Sequence, residues 1–431
     1  MRPTPLLLAL GVGAFLLSAV LAVAVQGGAA VVLVVWGVLG AALLADATMG
    51  RPSGGLSVAV DTPPEVFAGA SVPLRLTVRD GRGTVPRDLK AKVDWPEGIE
   101  GPDEIGFDGP VAEPPLRGVK RGRWSLGTLA LRWRGPLGLV EMLPSRPLDA
   151  EIPVVPDIRP VSTGEIDVMV RSTLFGVKEN LAQGEGSEFH QLRDFTRGMD
   201  VRSIDWKRSA SHRRLVAKET RAERNQSIVI AIDNGTLMRE QVAGLPKIDH
   251  QINAALAVAW AAVQGGDRIG LLAFDARPRL FVPPEGGRAA FARMRTRMAG
   301  LEYRSVETNH TLAAATLQAR LKRRSLLVIL TDFVDTTSAE LLLENVAILN
   351  RRHLVLFATL KDRTLAEMAA AAPGGMTDVA RSVAAERFLQ ERHEVLERLR
   401  RMGVLCVEAA PGELTGQLVS SYLQIKAREM I

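Results

Sequence analysis

Cysteine is almost absent. The single residue, Cys406, cannot form an intramolecular disulfide, and with six scattered histidines it excludes a Cys/His zinc framework and points to a reducing compartment. Aromatic residues make up only 5% of the 431 positions, and the basic stretch from Asp200 to Arg224 lacks the interleaved stacking aromatics of a nucleic-acid-binding strand. No Gly-x-Ser-x-Gly elbow or His-Glu-x-x-His pair occurs, and Gly184-Glu-Gly186 is not followed by Lys-Ser/Thr, so serine hydrolase, zincin and P-loop chemistry have no sequence support. Cys406 lies in an apolar strand pattern and reads as core. His190 and His212 have no nucleophile paired with them by spacing and read as surface or partner contacts. An enzyme of unstated reaction, such as a hydrolase, stays open as an alternative class, and a basic nucleic-acid-binding protein as another.

Charge is also missing from one stretch. Residues 3–45 contain no Asp, Glu, Lys, Arg or His, an uncharged run of 43 residues between Arg2 and Asp46. As helix this would be roughly 65 Å long, about twice the apolar thickness of a bilayer. Residues 1–50 are therefore expected to form a transmembrane hairpin, with helices at about 6–25 and 29–44 turned by Gln26-Gly-Gly28. A signal peptide ending near Ala22-Val23-Ala24, followed by one anchor, is the alternative. Arg2 and Arg51 favour a cytoplasmic placement of both ends. The expected location is a bacterial-type inner or plasma membrane, with the bulk of the chain cytoplasmic.

What is present organises the rest. Residues 55–156 alternate apolar and polar residues in short segments such as Val72-Pro-Leu-Arg-Leu-Thr-Val78, broken by Pro and Gly, which predicts a small β-sandwich. Residues 157–226 form a charge-dense connector. Between Asp200 and Arg224 there are eight Lys+Arg against four Asp+Glu, much of the chain's surplus of six positive charges. That stretch is either a basic surface for an acidic partner or an ion-paired connector, since Asp200, Arg202, Asp205 and Lys207 alternate in sign. From residue 227 to 431, apolar runs such as Ser227-Ile-Val-Ile-Ala-Ile-Asp233 and Ser325-Leu-Leu-Val-Ile-Leu-Thr-Asp332 alternate with helical patterns. This predicts an open, doubly wound α/β sheet. Short Arg279-Leu-Phe-Val282 is read as its third strand.

Ligands of such sheets sit at the carboxyl edge of the strands. Asp233 and Asp332 both fall there, and with a third-loop hydroxyl they could hold a hard divalent cation such as Mg²⁺. Equally, each could cap the segment that follows it.

Two buried strands ending in Asp resemble the von Willebrand factor A domain and its metal-ion-dependent adhesion site. More specifically, Phe189-His-Gln-Leu-Arg-Asp-Phe195, Gly198-Met-Asp-Val-Arg202, Ile204-Asp-Trp-Lys-Arg-Ser-Ala210 and Thr331-Asp-Phe-Val-Asp335 resemble the signature of the DUF58 family. Arg121-Gly-Arg-Trp-Ser-Leu-Gly and Gly135-Pro-Leu-Gly-Leu139 are similar to its upstream β region. The resemblance implies a membrane-anchored, non-enzymatic adaptor or scaffold that binds a MoxR-type AAA+ ATPase, with other membrane proteins as further partners; no nucleic-acid partner is expected. It places partner contacts on Arg193, Asp194, Asp200, Arg202, Asp205, Trp206 and Lys207. It also places the metal motif at Asp233, Thr308 and Asp332, a degenerate set because Asp233-Asn-Gly-Thr-Leu237 has Gly235 and Leu237 where serines are usual. Two carboxylates and one hydroxyl remain, so no cofactor is expected, Mg²⁺ being the one such a site could take.

Overall fold

The computed structural model describes the chain apart from residues 25–27, 53–54, 82–84, 87, 171–187, 197–198, 200, 222–225, 334–335, 362, 372–374 and 431. It divides into two compact units, Met1–Pro156 and Asp157–Ile431.

The first unit begins with two apolar helices, Pro5–Ala24 and Gly28–Met49. Apolar side chains are exposed all round them, Leu8, Phe15, Leu33 and Val34 among them. Ala29–Met49 is long and apolar enough to cross a bilayer, whereas the apolar part of the first helix, Pro5–Leu21, is shorter. Trp36 Nε1 donates to Ser18 Oγ at 3.1 Å, joining the two helices.

The rest of this unit is β structure. Its longest sheet runs in the order Arg2–Pro3, Val140–Met142, Thr128–Arg134, Lys90–Val93, Ile105–Gly106, with Ser145–Pro147 also on Thr128–Arg134. Thr128–Arg134 alternates exposed and buried residues, so Leu129, Leu131 and Trp133 face the core. Three three-stranded sheets complete it, and among the described strands only Glu151–Val155 with Val66–Phe67 pairs in parallel.

The helices are fastened to the sheet. Asp46, in the last turns of the second helix, is fully buried and accepts from the backbone N–H groups of Leu137 (2.6 Å), Leu139 (2.8 Å) and Val140 (2.8 Å). Thr4 Oγ1 donates to the carbonyl of Gly138 at 2.7 Å, and Trp133 Nε1 to that of Gly50 at 2.9 Å. Gly135 is required here, since a Cβ on it would lie 2.3 Å from Asp46 Oδ1.

In the second unit, the segment expected as a connector contributes to the core. Ile166 and Val170 pack in it, and Asp167 Oδ1 accepts from Trp260 Nε1 (2.8 Å) and Gln264 Nε2 (2.9 Å). Glu188–Asp194 and Val216–Arg221 form an antiparallel pair, with the helix Trp206–His212 between them in sequence.

The main sheet follows the order Pro278–Gly286, Arg268–Phe274, Ser227–Asp233, Leu326–Leu330, Leu354–Leu360, Leu405–Ala409, which in chain order is 3-2-1-4-5-6. Five strands are parallel and Pro278–Gly286 is antiparallel at one edge. This edge strand is nine residues long rather than the four expected from Arg279–Val282. Pro283 and Pro284 end the sequence pattern, but an edge strand tolerates proline because one side of it has no ladder to supply. Apolar layers cover both faces, with Lys247–Gln264 and Leu414–Ala427 on one and His310–Arg320, Thr336–Asn350 and Met376–Arg401 on the other. The direction of the chain reverses between strands Ser227–Asp233 and Leu326–Leu330, and the crevice at their carboxyl ends is where open α/β sheets bind ligands.

Candidate functional site

Asp233 closes the first strand and Asp332 lies just beyond the fourth, both buried at that crevice. Thr308 reaches them from the loop before His310–Arg320. Its Oγ1 donates to Asp233 Oδ1 at 2.7 Å, Thr331 Oγ1 donates to Oδ2 at 2.6 Å, and the N–H of Gly235 donates to Oδ1 at 2.8 Å. A Cβ at position 235 would lie only 2.0 Å from Thr308 Oγ1. Any side chain at position 235 would therefore collide with the Thr308 hydroxyl unless that hydroxyl moved. Burial lifts the Asp233 carboxyl to about 6, the Asp332 charge adding to the rise and the hydrogen bonds from Thr331, Thr308 and Gly235 opposing it.

Asp332 is held differently. Lys247 Nζ lies 2.7 Å from its Oδ2 and Arg392 Nη1 2.6 Å from its Oδ1, while Thr359 Oγ1 and the N–H of Phe333 donate to Oδ1 at 3.1 and 3.0 Å. Burial alone would raise this carboxyl, but the charges of Arg392 and Lys247 hold it below the ordinary value. Lys247 opens the helix Lys247–Gln264, where a cation opposes the helix dipole, so the carboxylates of Asp332 and Glu240 are what keep it there. Arg392 also reaches Glu408 (2.9 Å), Thr359 Oγ1 (2.5 Å) and the carbonyl of Leu360 (2.8 Å), and its guanidinium lies 5.0 Å from the Phe333 ring centre. Next along the edge, buried Asp275 accepts from Arg279 Nε at 2.7 and 2.9 Å.

This arrangement does not fit a divalent cation. Both oxygens of Asp332 already face a positive nitrogen, both of Asp233 accept protein hydrogen bonds, and no group of three His, Cys, Asp or Glu among the described residues could hold a metal. The structure thus gathers the expected Asp233, Thr308 and Asp332 together, but around two built-in cations. Lys247, Arg392, Thr331 and Thr359 are additions that the sequence reading did not find.

The expected partner residues lie elsewhere in the second unit. Arg193 and Asp194 end the Glu188–Asp194 strand, both exposed, with Asp194 paired to Arg214 at 3.0 Å. Asp205 caps the following helix by accepting from the N–H of Arg208 at 3.1 Å, which gives it a structural duty. Trp206 is 65% exposed and Lys207 is exposed beside it, with exposed Val201 and Leu215 on the neighbouring segments. The backbone of Arg202 lies in the turn Val201–Ser203, and Asp200 lies outside the described residues.

Residues 191–392 match the DUF58 family, described as a protein of unknown function. The DUF58 segment spans just under half the chain and contains Asp233, Lys247, Thr308, Asp332 and Arg392. Uncharacterized proteins of Mycobacterium tuberculosis and Mycobacterium bovis are 27% identical over 175 residues, 39% of this chain. The match takes in 55% of those relatives, so the chain spans about half the length of the curated proteins it matches. Among solved structures, BatB from Bacteroides thetaiotaomicron is similar over 46% of this chain and all of its own, at 11% identity and a TM-score of 0.31. An aerotolerance-related membrane protein from Bacteroides fragilis is similar over 46% of this chain and 99% of its own, at 10% identity and a TM-score of 0.30.

Proposed function

We propose that this chain is a membrane-anchored, non-enzymatic interaction protein of the DUF58 type, whose second unit is a von Willebrand factor A-like domain docking a cytoplasmic MoxR-type AAA+ ATPase. In this reading both N-terminal helices cross the bilayer as a hairpin. The 3-2-1-4-5-6 strand order with an antiparallel edge, and Asp233, Thr308 and Asp332 at the crevice, support the A-like assignment. The observation that carries the reading is the pairing of Asp332 with Lys247 and Arg392. A partner's acidic side chain cannot complete a metal's coordination there, so recognition rests on surface shape and on the exposed Trp206, Arg193 and Lys207. Cys406, whose thiol burial raises to about 11, is a poor nucleophile, in keeping with a non-enzymatic role.

The test is co-purification of the detergent-solubilised full chain with and without ATP. Wild type should retain an AAA+ ATPase, and Trp206→Ser should reduce that retention at least about tenfold, the loss typical of an interfacial tryptophan anchor. Unchanged retention by Trp206→Ser sinks the surface assignment, and recovery of no ATPase sinks the partner.

A further inference from the structure

At the opposite, amino-terminal edge of the same sheet, three successive parallel strands are entered through basic turns. Lys322-Arg323-Arg324 leads into Leu326–Leu330, Arg351-Arg352 into Leu354–Leu360, and Arg398, Arg400 and Arg401 close the helix before Leu405–Ala409. All eight side chains are exposed. The turns form one surface: Arg352 Nη2 donates to the carbonyl of Lys322, and Asn350 Nδ2 to that of Met402 at 2.9 Å. Of the eight, Arg400 is ion-paired, to Glu397 at 2.6 Å, and no other acidic partner faces them among the described residues.

The three helices that precede these strands end in the basic turns, and cations commonly neutralise helix C-termini, each of which carries roughly half a negative charge. Eight cations against about one and a half charges from three helix ends and one from Glu397 leave a large surplus. Dipole compensation therefore accounts for only a minority of them.

A groove of about 550 Å³ opens into this surface between His310–Arg320 and Thr336–Asn350. Ala315, Ala319, Ile348 and Leu349 give it an apolar lining, and Arg352 and His353 line its strand-entry end. His353 is 2% exposed, yet neither ring nitrogen has a hydrogen-bond partner. Buried polar atoms are normally paired, and an unpaired imidazole beside the Arg352 guanidinium in an otherwise largely apolar groove suits a ligand with an anionic head and an apolar body.

We propose that this edge binds anionic phospholipid, the basic turns gripping headgroup phosphates and the alanine-lined groove beside His353 taking the adjoining apolar part. Seven of the eight cations are arginine, whose planar fork matches phosphate oxygens in pairs. The chain also carries its own bilayer-length apolar helix, so a chain held by it would meet lipid headgroups at high local concentration. The site stands on residues remote from the carboxyl edge, so it does not depend on the ATPase as partner.

The experiment uses the full chain in nonionic detergent, titrated with dihexanoyl-phosphatidylglycerol or dihexanoyl-phosphatidylcholine, with amide exchange followed in peptides covering 320–325, 349–354 and 398–404. Phosphatidylglycerol should slow exchange in these peptides at least threefold, phosphatidylcholine should not, and high salt should reverse the effect. Arg351→Glu/Arg352→Glu should abolish the protection, as should Ala319→Trp, which fills the groove without touching the charges. Equal protection by both lipids would overturn the proposal. So would protection by inorganic phosphate, an acidic peptide or an oligonucleotide where phosphatidylglycerol gives none.

Discussion

Replacing Lys247 with methionine removes one charge from the centre of the carboxyl-edge network while keeping an unbranched side chain of similar length. Asp332 then keeps Arg392 on Oδ1 and loses its cation on Oδ2, and Glu240 loses the same ammonium. Breaking one side of a buried ion pair costs about 3–5 kcal/mol, and the surviving arginine puts this case near about 3. The second unit has 275 residues. At about 2.1 cal/mol/K of unfolding entropy per residue, the loss lowers its midpoint by roughly 5 °C. Calorimetry of the full chain in detergent, resolving the second unit's transition, reads this directly. The sign with pH is fixed by Asp332. Its carboxyl is held below the ordinary value in the wild type, so the stability it contributes is present above the unfolded-state value near 4 and is lost as pH falls through the lower folded value. In Lys247→Met the carboxyl rises, so the deficit is full at neutral pH and shrinks in acid as Asp332 takes up a proton. Lys247→Met/Asp332→Asn should recover much of the loss at neutral pH. Millimolar Mg²⁺ should leave the wild-type midpoint in place. A variant midpoint within about a degree of wild type, or a saturable rise with Mg²⁺, refutes the assignment of Lys247 as a built-in counter-ion.

Three other outcomes follow from the same geometry. Gly235→Ala forces Thr308 Oγ1 off Asp233 and should destabilise the second unit by about 1–3 kcal/mol, read by calorimetry, with Thr308→Val losing about as much and the double variant losing little more. Asp46→Ala orphans three backbone N–H groups and should destabilise the first unit by at least about 3 kcal/mol, while Asp46→Asn, which keeps one acceptor oxygen, loses less; equal melting of all three proteins contradicts the clamp. Burial lowers the His310 imidazole to about 4, so the stability of its neutral form is complete above about 6.5 and is lost as pH falls toward 4, at most about 3 kcal/mol in all, and His310→Phe should flatten that part of the acid profile.

Asp233 and Asp332 were legible because each follows a buried apolar run at the carboxyl edge of the sheet, where ligands of open α/β sheets sit, and Thr308 because the resembling motif requires a hydroxyl from a third loop. Lys247 and Arg392 carried no such mark. Lys247 is 85 residues from its partner and is one lysine at the start of an amphipathic helix. Arg392 lies in a helix that also contains Arg381, Arg387, Arg398, Arg400 and Arg401, and only the fold distinguishes it from those. Its one local signal is a basic side chain at the edge of the buried face, between exposed neighbours and Val395. The charge count was misleading in a related way. Along the chain the surplus gathers at Asp200 to Arg224, but in space the amino edge collects more, because its three basic turns are separated by whole helices in sequence. The edge strand was read short for a local reason, since Pro283-Pro284 stops a strand pattern anywhere but at an edge.

The Asp46 clamp also bears on mechanics. A freely jointed linker between bilayer helices and a folded domain would let that domain sweep a wide volume and lose any memory of the membrane's orientation. Here the foot of the second helix, the start of the first and the Gly135–Leu139 turn are bolted together through Asp46, Thr4 and Trp133, as a flange rather than a leash. On the proposed topology, the β unit therefore stands at a fixed height and tilt above the lipid. A pull exerted on it would reach the bilayer as a torque on the helix pair, not as slack being taken up.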